Sequence, residues 1–395
     1  MIRPFSFFYH WLLDHQRQGY DLILLAATLL LLLAGTLMIY SASGPLSDRV
    51  HGTSFLFLRN HLLHLSLGLA AMAVSTRIPF RRWEDWMPYL LLVCFLFLIA
   101  VLIPGIGYTA GGARRWLRLG FFNFQPSELL KLTLILYVAS YLARKPEHVS
   151  QFLRGLAPNM AVMGVFLALV VMQPDFGSMV LIVLTLLAMV FVGGAKPSHL
   201  LFSVFGFSII AGWLIASRTY RMKRMLAYLD PWQDRLDSGF QIIQSYLAFG
   251  RGGVFGQGLG DSTQKMFFLP DAHTDFIFSI VGEELGLLGV LAFMGMYLLF
   301  LWRSFRVALR CEDDFGKYLA FGLSVLFTLQ IMLNMGVVMG LLPTKGLPLP
   351  FLSYGGSGLV IYLLMVGLLL NIGRDVRSIS MDRTQGSRKT AFVRE

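Results

Sequence analysis

Phe268-Leu269-Pro270-Asp271-Ala272-His273-Thr274-Asp275-Phe276 leads straight into an apolar run, residues 276–302, whose only charges are Glu283 and Glu284. A helix needs about 20 apolar residues to cross the hydrocarbon core of a bilayer. The run therefore reads as a membrane-spanning helix, with Asp271, His273, Thr274 and Asp275 crowded at its mouth. Desolvating a carboxylate is costly, so an acid placed there is a functional-site candidate. It also marks the membrane face that carries the chemistry.

The rest of the chain repeats this pattern. Of 395 residues, 56% are hydrophobic and only 14% charged, against about 25% charged in soluble domains. Apolar runs recur at 21–42, 60–77, 87–104, 127–143, 156–172, 177–194, 198–217, 276–302, 318–342 and 356–372. The expectation is an all-α polytopic membrane protein with ten transmembrane helices in one domain over 1–395. Only Gln173-Pro174-Asp175-Phe176-Gly177 separates the fifth run from the sixth, and Pro with Gly favours a tight turn there.

Ten spans put both termini on one side. That side holds 19 Lys and Arg against 13 opposite, or 6 once the long loop 218–275 is set aside. Positive residues stay inside, which predicts cytoplasmic termini. The net charge of +11 is then mostly a topology signal. Dispersed basic residues without a recognition motif exclude a nucleic-acid binder. Residues 1–20 read as a cytoplasmic segment lying at the interface, and 374–395 as a basic cytoplasmic tail. The first apolar run is longer than the ~7–15 residues of a cleaved signal. Cys94 falls in a span and Cys311 in a loop, so no disulfide is expected, and no Cys/His metal spacing occurs.

Polar groups inside or beside spans carry the remaining information. Glu128 and Lys131 are three apart, hence on one helical face and within pairing reach. They form a buried structural pair or line a polar cavity. Asp175 follows a turn and suits a helix cap. Glu283 and Glu284 are adjacent and point in different directions. Arg114, Arg115 and Arg118 beside Trp116 suit phosphate and sugar contact. The outer loop 218–275 opens with Arg221, Lys223 and Arg224 interleaved with Met222, Met225 and Leu226, an amphipathic helix for the outer leaflet. Its glycines, Gly250 to Gly260, suit an irregular loop. Pro343, Pro348 and Pro350 forbid a regular helix in the last outer loop. Such backbone at membrane depth must be buried in protein or line a cavity.

Five segments resemble the SEDS (shape, elongation, division and sporulation) family of bacterial membrane proteins. They are Gly112-Ala113-Arg114-Arg115-Trp116, Gln125-Pro126-Ser127-Glu128 with Lys131, Gln173-Pro174-Asp175, Leu269 to Phe276 with Gly282-Glu283-Glu284, and Pro348 to Ser357. Asp230-Pro231-Trp232, Gly256-Gln257-Gly258-Leu259-Gly260 and Thr344-Lys345-Gly346-Leu347 look most like its cell-division branch. The resemblance implies an inverting peptidoglycan glycosyltransferase that polymerises lipid II, with undecaprenyl pyrophosphate as leaving group. It implies Asp275 as general base or metal-positioning carboxylate, and Arg114, Arg115 and Lys131 at the phosphates. Trp116, Glu128, His273, Thr274, Lys345 and Ser353 complete the expected substrate contacts. A divalent cation, Mg or Mn, is expected from the diphosphate's charge. The implied partners are a division-specific class B penicillin-binding transpeptidase, the FtsQ–FtsL–FtsB complex and an FtsN-like activator, at the septum in the inner membrane. A lipid II flippase or a non-catalytic division scaffold are the competing readings. Against transport, the acids cluster on one side and no inverted repeat is found.

Overall fold

A computed structural model describes residues 19–392, apart from 111, 121, 218, 236, 238 and 345. The expected interfacial segment before Gly19 lies outside the described residues, as does Lys345. Each of the ten apolar runs coincides with a helix. These are α1 (Leu22–His51), α2 (Leu56–Ser75), α3 (Phe80–Leu102), α4 (Pro126–Arg144), α5 (Ala157–Met172), α6 (Phe176–Val192) and α7 (Pro197–Ala216). After two short helices, α8 (Thr219–Leu229) and α9 (Phe240–Gly252), come α10 (Ile277–Arg310), α11 (Asp314–Val338) and α12 (Ser357–Phe392). Among the described residues six helices are long and apolar enough to cross a membrane: α1, α3, α7, α10, α11 and α12. The apolar helices α5 and α6 are shorter.

Local chemistry sets the helix starts. The Asp21 carboxylate accepts from the amides of Ile23 and Leu24, Asp175 from Ser178 and Asp313 from Gly316. Each satisfies donors that the first helical turn leaves orphaned. Pro126 and Pro197 open α4 and α7, where a missing N–H costs nothing. Asp21 is shared with Arg303 of α10, a buried pair that ties α10 to the start of α1.

Helix α4 sits at the centre, packed by α3, α6, α11 and α12. It is buried on nearly every side, and Glu128 and Lys131 are buried with it. By contrast α7 touches little but α8 and α6, and it leaves Phe202, Phe205, Ile209 and Trp213 exposed. That is the surface expected of a helix facing lipid.

One part of the fold departs from all-α. The loop between α3 and α4 is a three-stranded antiparallel sheet: β1 (Gly107–Ala110), β2 (Ala113–Leu119) and β3 (Phe122–Phe124). It is seated by Leu117 and Phe124 on Val101. Adjacent strand residues point to opposite faces. Arg114 therefore packs over Gly107 and donates to the Leu102 carbonyl, while Arg115 points the other way.

The glycine-rich part of loop 218–275 is spliced into α10. Gly286 has φ 65° and ψ −163°, which breaks the helix. The freed amides of Leu287 and Leu288 donate to the carbonyls of Gly253 and Val254. The carbonyls of Glu283 and Glu284 accept from Gln257 and Gly258. Backbone freed by the break is thus re-satisfied, as membrane-depth irregularity requires. Both glutamates are buried and bonded to other segments of the chain. Glu283 accepts from Ser262 and from the amides of Thr263 and Gln264. Glu284 pairs with Lys265 at 2.8 Å and accepts from Ser41 of α1. The irregular loop is thus locked down by buried charge. Gly256, at φ +81°, fits where a Cβ would stand 2.2 Å from the Glu284 carbonyl. A Gly256→Ala protein is expected to melt several degrees lower, since such strain costs about 1–3 kcal/mol. An unchanged melting curve would show the splice to be dispensable.

Candidate active site

At the end of the bundle that carries the sheet, α8 and α9, a cavity of about 890 Å³ opens. Its floor is made by the starts of α4, α6 and α10. The Gln125-Pro126-Ser127-Glu128 and Gln173-Pro174-Asp175 motifs meet there. Asp175 is buried, and its Oδ2 accepts from Ser127 Oγ and Gln125 Nε2, both at 3.1 Å. Beyond capping α6, it holds two motifs together. Glu128 faces the cavity, with one oxygen 2.7 Å from Lys131 Nζ and the other without a hydrogen bond among the described residues. Lys131 lies beneath it, fully buried, with Gln330 at 3.5 Å.

Asp275 stands at the mouth of α10 and lines the cavity beside Asp271 and Thr274. Burial pushes its carboxyl up to about 7, and Asp271 adds to the rise, while Arg115 and Arg224 oppose it. The side chain is only half-buried and opens on the cavity, so solvent there screens part of the shift. The Asp275 carbonyl accepts from Asn334 Nδ2 at 2.9 Å, which also reaches the Leu347 carbonyl at 2.7 Å. Asn334 therefore fixes two irregular segments at once. Gln330 and Tyr297 satisfy the carbonyls of Pro348 and Pro350 in the same way.

The expected site residues that the structure describes, all but Lys345, separate into two groups. Arg115, Trp116, Glu128, Thr274 and Asp275 line the cavity. Arg115 lies 3.8 Å from Asp175, and its buried Nε has no hydrogen bond among the described residues. The others stand behind the wall. Arg114 is turned to Leu102 and Lys131 lies under Glu128. Ser353 Oγ accepts from the Leu349 amide at 2.8 Å. His273 packs against Phe57 and Tyr354, with burial lowering its imidazole below the usual value and Asp271 opposing. These four residues are not among those that line the cavity.

Sequence reading places the α8 cations at the outer leaflet. Instead Arg221 and Arg224 line the cavity, and Lys223 pairs with Asp237 at the surface. Helical periodicity shows that Arg221 and Arg224 share a face, but a headgroup layer and a polar cavity are equally suited to it.

Among the described residues no group of three or more His, Cys, Asp or Glu gathers to hold a metal. Two cavity carboxylates, Asp271 and Asp275, fit a cation completed by substrate oxygens, and do not fit an all-protein cage.

The arrangement has relatives. The FtsW/RodA/SpoVE family, described as cell cycle proteins, matches residues 21–378. A probable peptidoglycan glycosyltransferase FtsW of Geobacter sp. (strain M18) is 46% identical over 364 residues, 91% of this chain and 98% of that protein. Stage V sporulation protein E of Bacillus subtilis is 43% identical over 90% of this chain and 97% of its own length. A chain of a peptidoglycan synthase complex superposes with a TM-score of 0.74 at 28% identity, covering 91% and 98% of the two chains. The rod shape determining protein RodA of Thermus thermophilus follows, with a TM-score of 0.68 at 28% identity over 90% and 97%. The motifs that meet in the cavity and the match along almost the whole chain have one consequence: the chain belongs to the FtsW/RodA/SpoVE family of cell cycle proteins.

Proposed function

We propose that the protein is a peptidoglycan glycosyltransferase that polymerises lipid II into glycan strands for the division septum, by inverting transfer from an undecaprenyl diphosphate donor. The observation that carries this reading is Asp275, a half-buried carboxylate with raised proton affinity at the lip of a cavity lined by arginines. The curated relatives named as such enzymes support it.

The ten helices cross the membrane with both termini cytoplasmic, so the cavity opens on the outer side. The acceptor sugar hydroxyl gives its proton to Asp275 as its oxygen attacks the anomeric carbon. The carbon–oxygen bond to the diphosphate breaks on the opposite face, and Arg115 stabilises the departing charge. Asp275 with Asp271 would hold a divalent cation that neutralises diphosphate charge. Glu128, set by Lys131, offers an acceptor to a sugar hydroxyl. The likeness to a chain of a peptidoglycan synthase complex supports pairing with a penicillin-binding transpeptidase. The FtsQ–FtsL–FtsB complex and an FtsN-like activator extend that assembly.

A base must be ionised to act. The rate of lipid II polymerisation by the purified protein should therefore fall as pH drops below about 7, by about tenfold per unit at the limit. Steady-state rates between pH 5 and 9 check it. A profile flat through this range would remove Asp275 as the base.

A further inference from the structure

Helix α8 brings Arg221 and Arg224 into the cavity one helical turn apart. Arg221 is only 9% exposed. Its Nη1 donates to the Leu214 carbonyl at 2.8 Å and its Nε to Tyr220 Oη at 3.0 Å. Its guanidinium lies over the rings of Phe176 and Tyr220. Among the described residues no carboxylate pairs with it. A buried guanidinium without a counter-ion is costly. Two of its five donors are used, and the rest are free to meet a ligand. Arg224 has no ion pair or hydrogen bond among the described residues, and it lies close enough to Asp275 to act on its charge.

The cavity wall beside these arginines is apolar. It is built by Val171 and Met172 at the end of α5, Ile215 near the end of α7, and Phe176. Met172 is also exposed, and Ile215 across the cavity belongs to the helix whose flank of Phe202, Phe205, Ile209 and Trp213 is bare. An anionic headgroup held by the arginines can keep an attached hydrocarbon chain on that flank.

We infer that Arg221 and Arg224 form the binding site for the diphosphate of a lipid-linked substrate, with the hydrocarbon tail leaving the cavity between the ends of α5 and α7. This rests on the glycosyltransferase reading for the nature of the substrate. It shifts the phosphate contacts from Arg114 and Lys131, which the fold turns away, to α8. Arg221 is held in place by its packing and presents a preset fork, and Arg224 closes over the second phosphate.

The test uses the full-length protein in detergent and two probes, undecaprenyl diphosphate and inorganic pyrophosphate. Affinities are measured for wild type, Arg221→Lys, Arg221→Gln, Arg224→Gln and the surface control Lys223→Gln. Losing a charge-assisted contact should weaken undecaprenyl diphosphate by roughly 10- to 100-fold in Arg221→Gln and Arg224→Gln. Arg221→Lys should be intermediate and Lys223→Gln unchanged. In turnover, KM for lipid II should rise in step with the binding loss. A purely structural Arg221 would lower the melting temperature without moving the affinity of the folded fraction. Arg224→Gln, which breaks no described contact, keeps the test open if Arg221→Gln does not fold. Wild-type affinity in both Arg224→Gln and Arg221→Lys would overturn the proposal. Pyrophosphate binding as tightly as undecaprenyl diphosphate would overturn the lipid-linked assignment. A wild-type protein that binds in this manner yet makes no glycan would contradict the glycosyltransferase reading while sustaining the diphosphate site.

Discussion

Replacing Asp275 by Asn should abolish glycan polymerisation while leaving the protein folded and inserted. The two side chains are nearly isosteric. The Asp275 carboxylate accepts no hydrogen bond among the described residues, so the change breaks no described contact of that group. The segment is anchored instead through the Asp275 carbonyl to Asn334. What is lost is the proton acceptor at the cavity lip, and loss of a general base typically costs ~10²–10⁴-fold in rate. Gel analysis of strands made from lipid II, beside a melting curve, checks both halves. A folded Asp275→Asn protein working near the wild-type rate would leave Asp275 without a catalytic role.

The second large effect belongs to Glu128 and Lys131. Their side chains are 4% and 0% exposed and stand 2.7 Å apart at the core of α4. Removing one partner strands the other as an uncompensated buried charge, worth about 3–5 kcal/mol. Glu128→Gln and Lys131→Met alone should each be strongly destabilised, and the double replacement should recover much of that loss. Activity should not recover, because Glu128 also lines the cavity and its second oxygen has no hydrogen bond among the described residues. Melting temperatures and polymerisation rates of the three variants give the cycle. A fully active double variant would reduce the pair to a structural role.

The helices were legible because a membrane demands long apolar runs, and each run coincides with a helix. The pair Glu128–Lys131 was legible from spacing alone, as was the cap at Asp175. The sheet was missed because membrane-span logic passes over a short polar loop. Its signal was present: Gly111-Gly112 separates Gly107-Tyr108-Thr109-Ala110 from Ala113 to Leu119, a turn between strand-like runs. The roles of Glu283 and Glu284 could not be read, since they depend on Ser262 and Lys265, about 20 residues upstream, folding back across the break at Gly286. His273 and Ser353 lie within motifs that line the cavity, yet they act behind its wall. A motif shows which residues are needed together, and the fold decides which of them line the cavity.

This cavity is expected to join lipid-linked sugars. Purified protein is incubated with lipid II in detergent micelles, together with the proposed transpeptidase partner carrying an inactivated transpeptidase site. Micelles offer no second compartment, so transport leaves no product. Glycan strands with release of undecaprenyl diphosphate are expected from the wild type, and none from Asp275→Asn. Lipid II recovered unchanged by the wild-type complex, or strands made equally by both proteins, would contradict it.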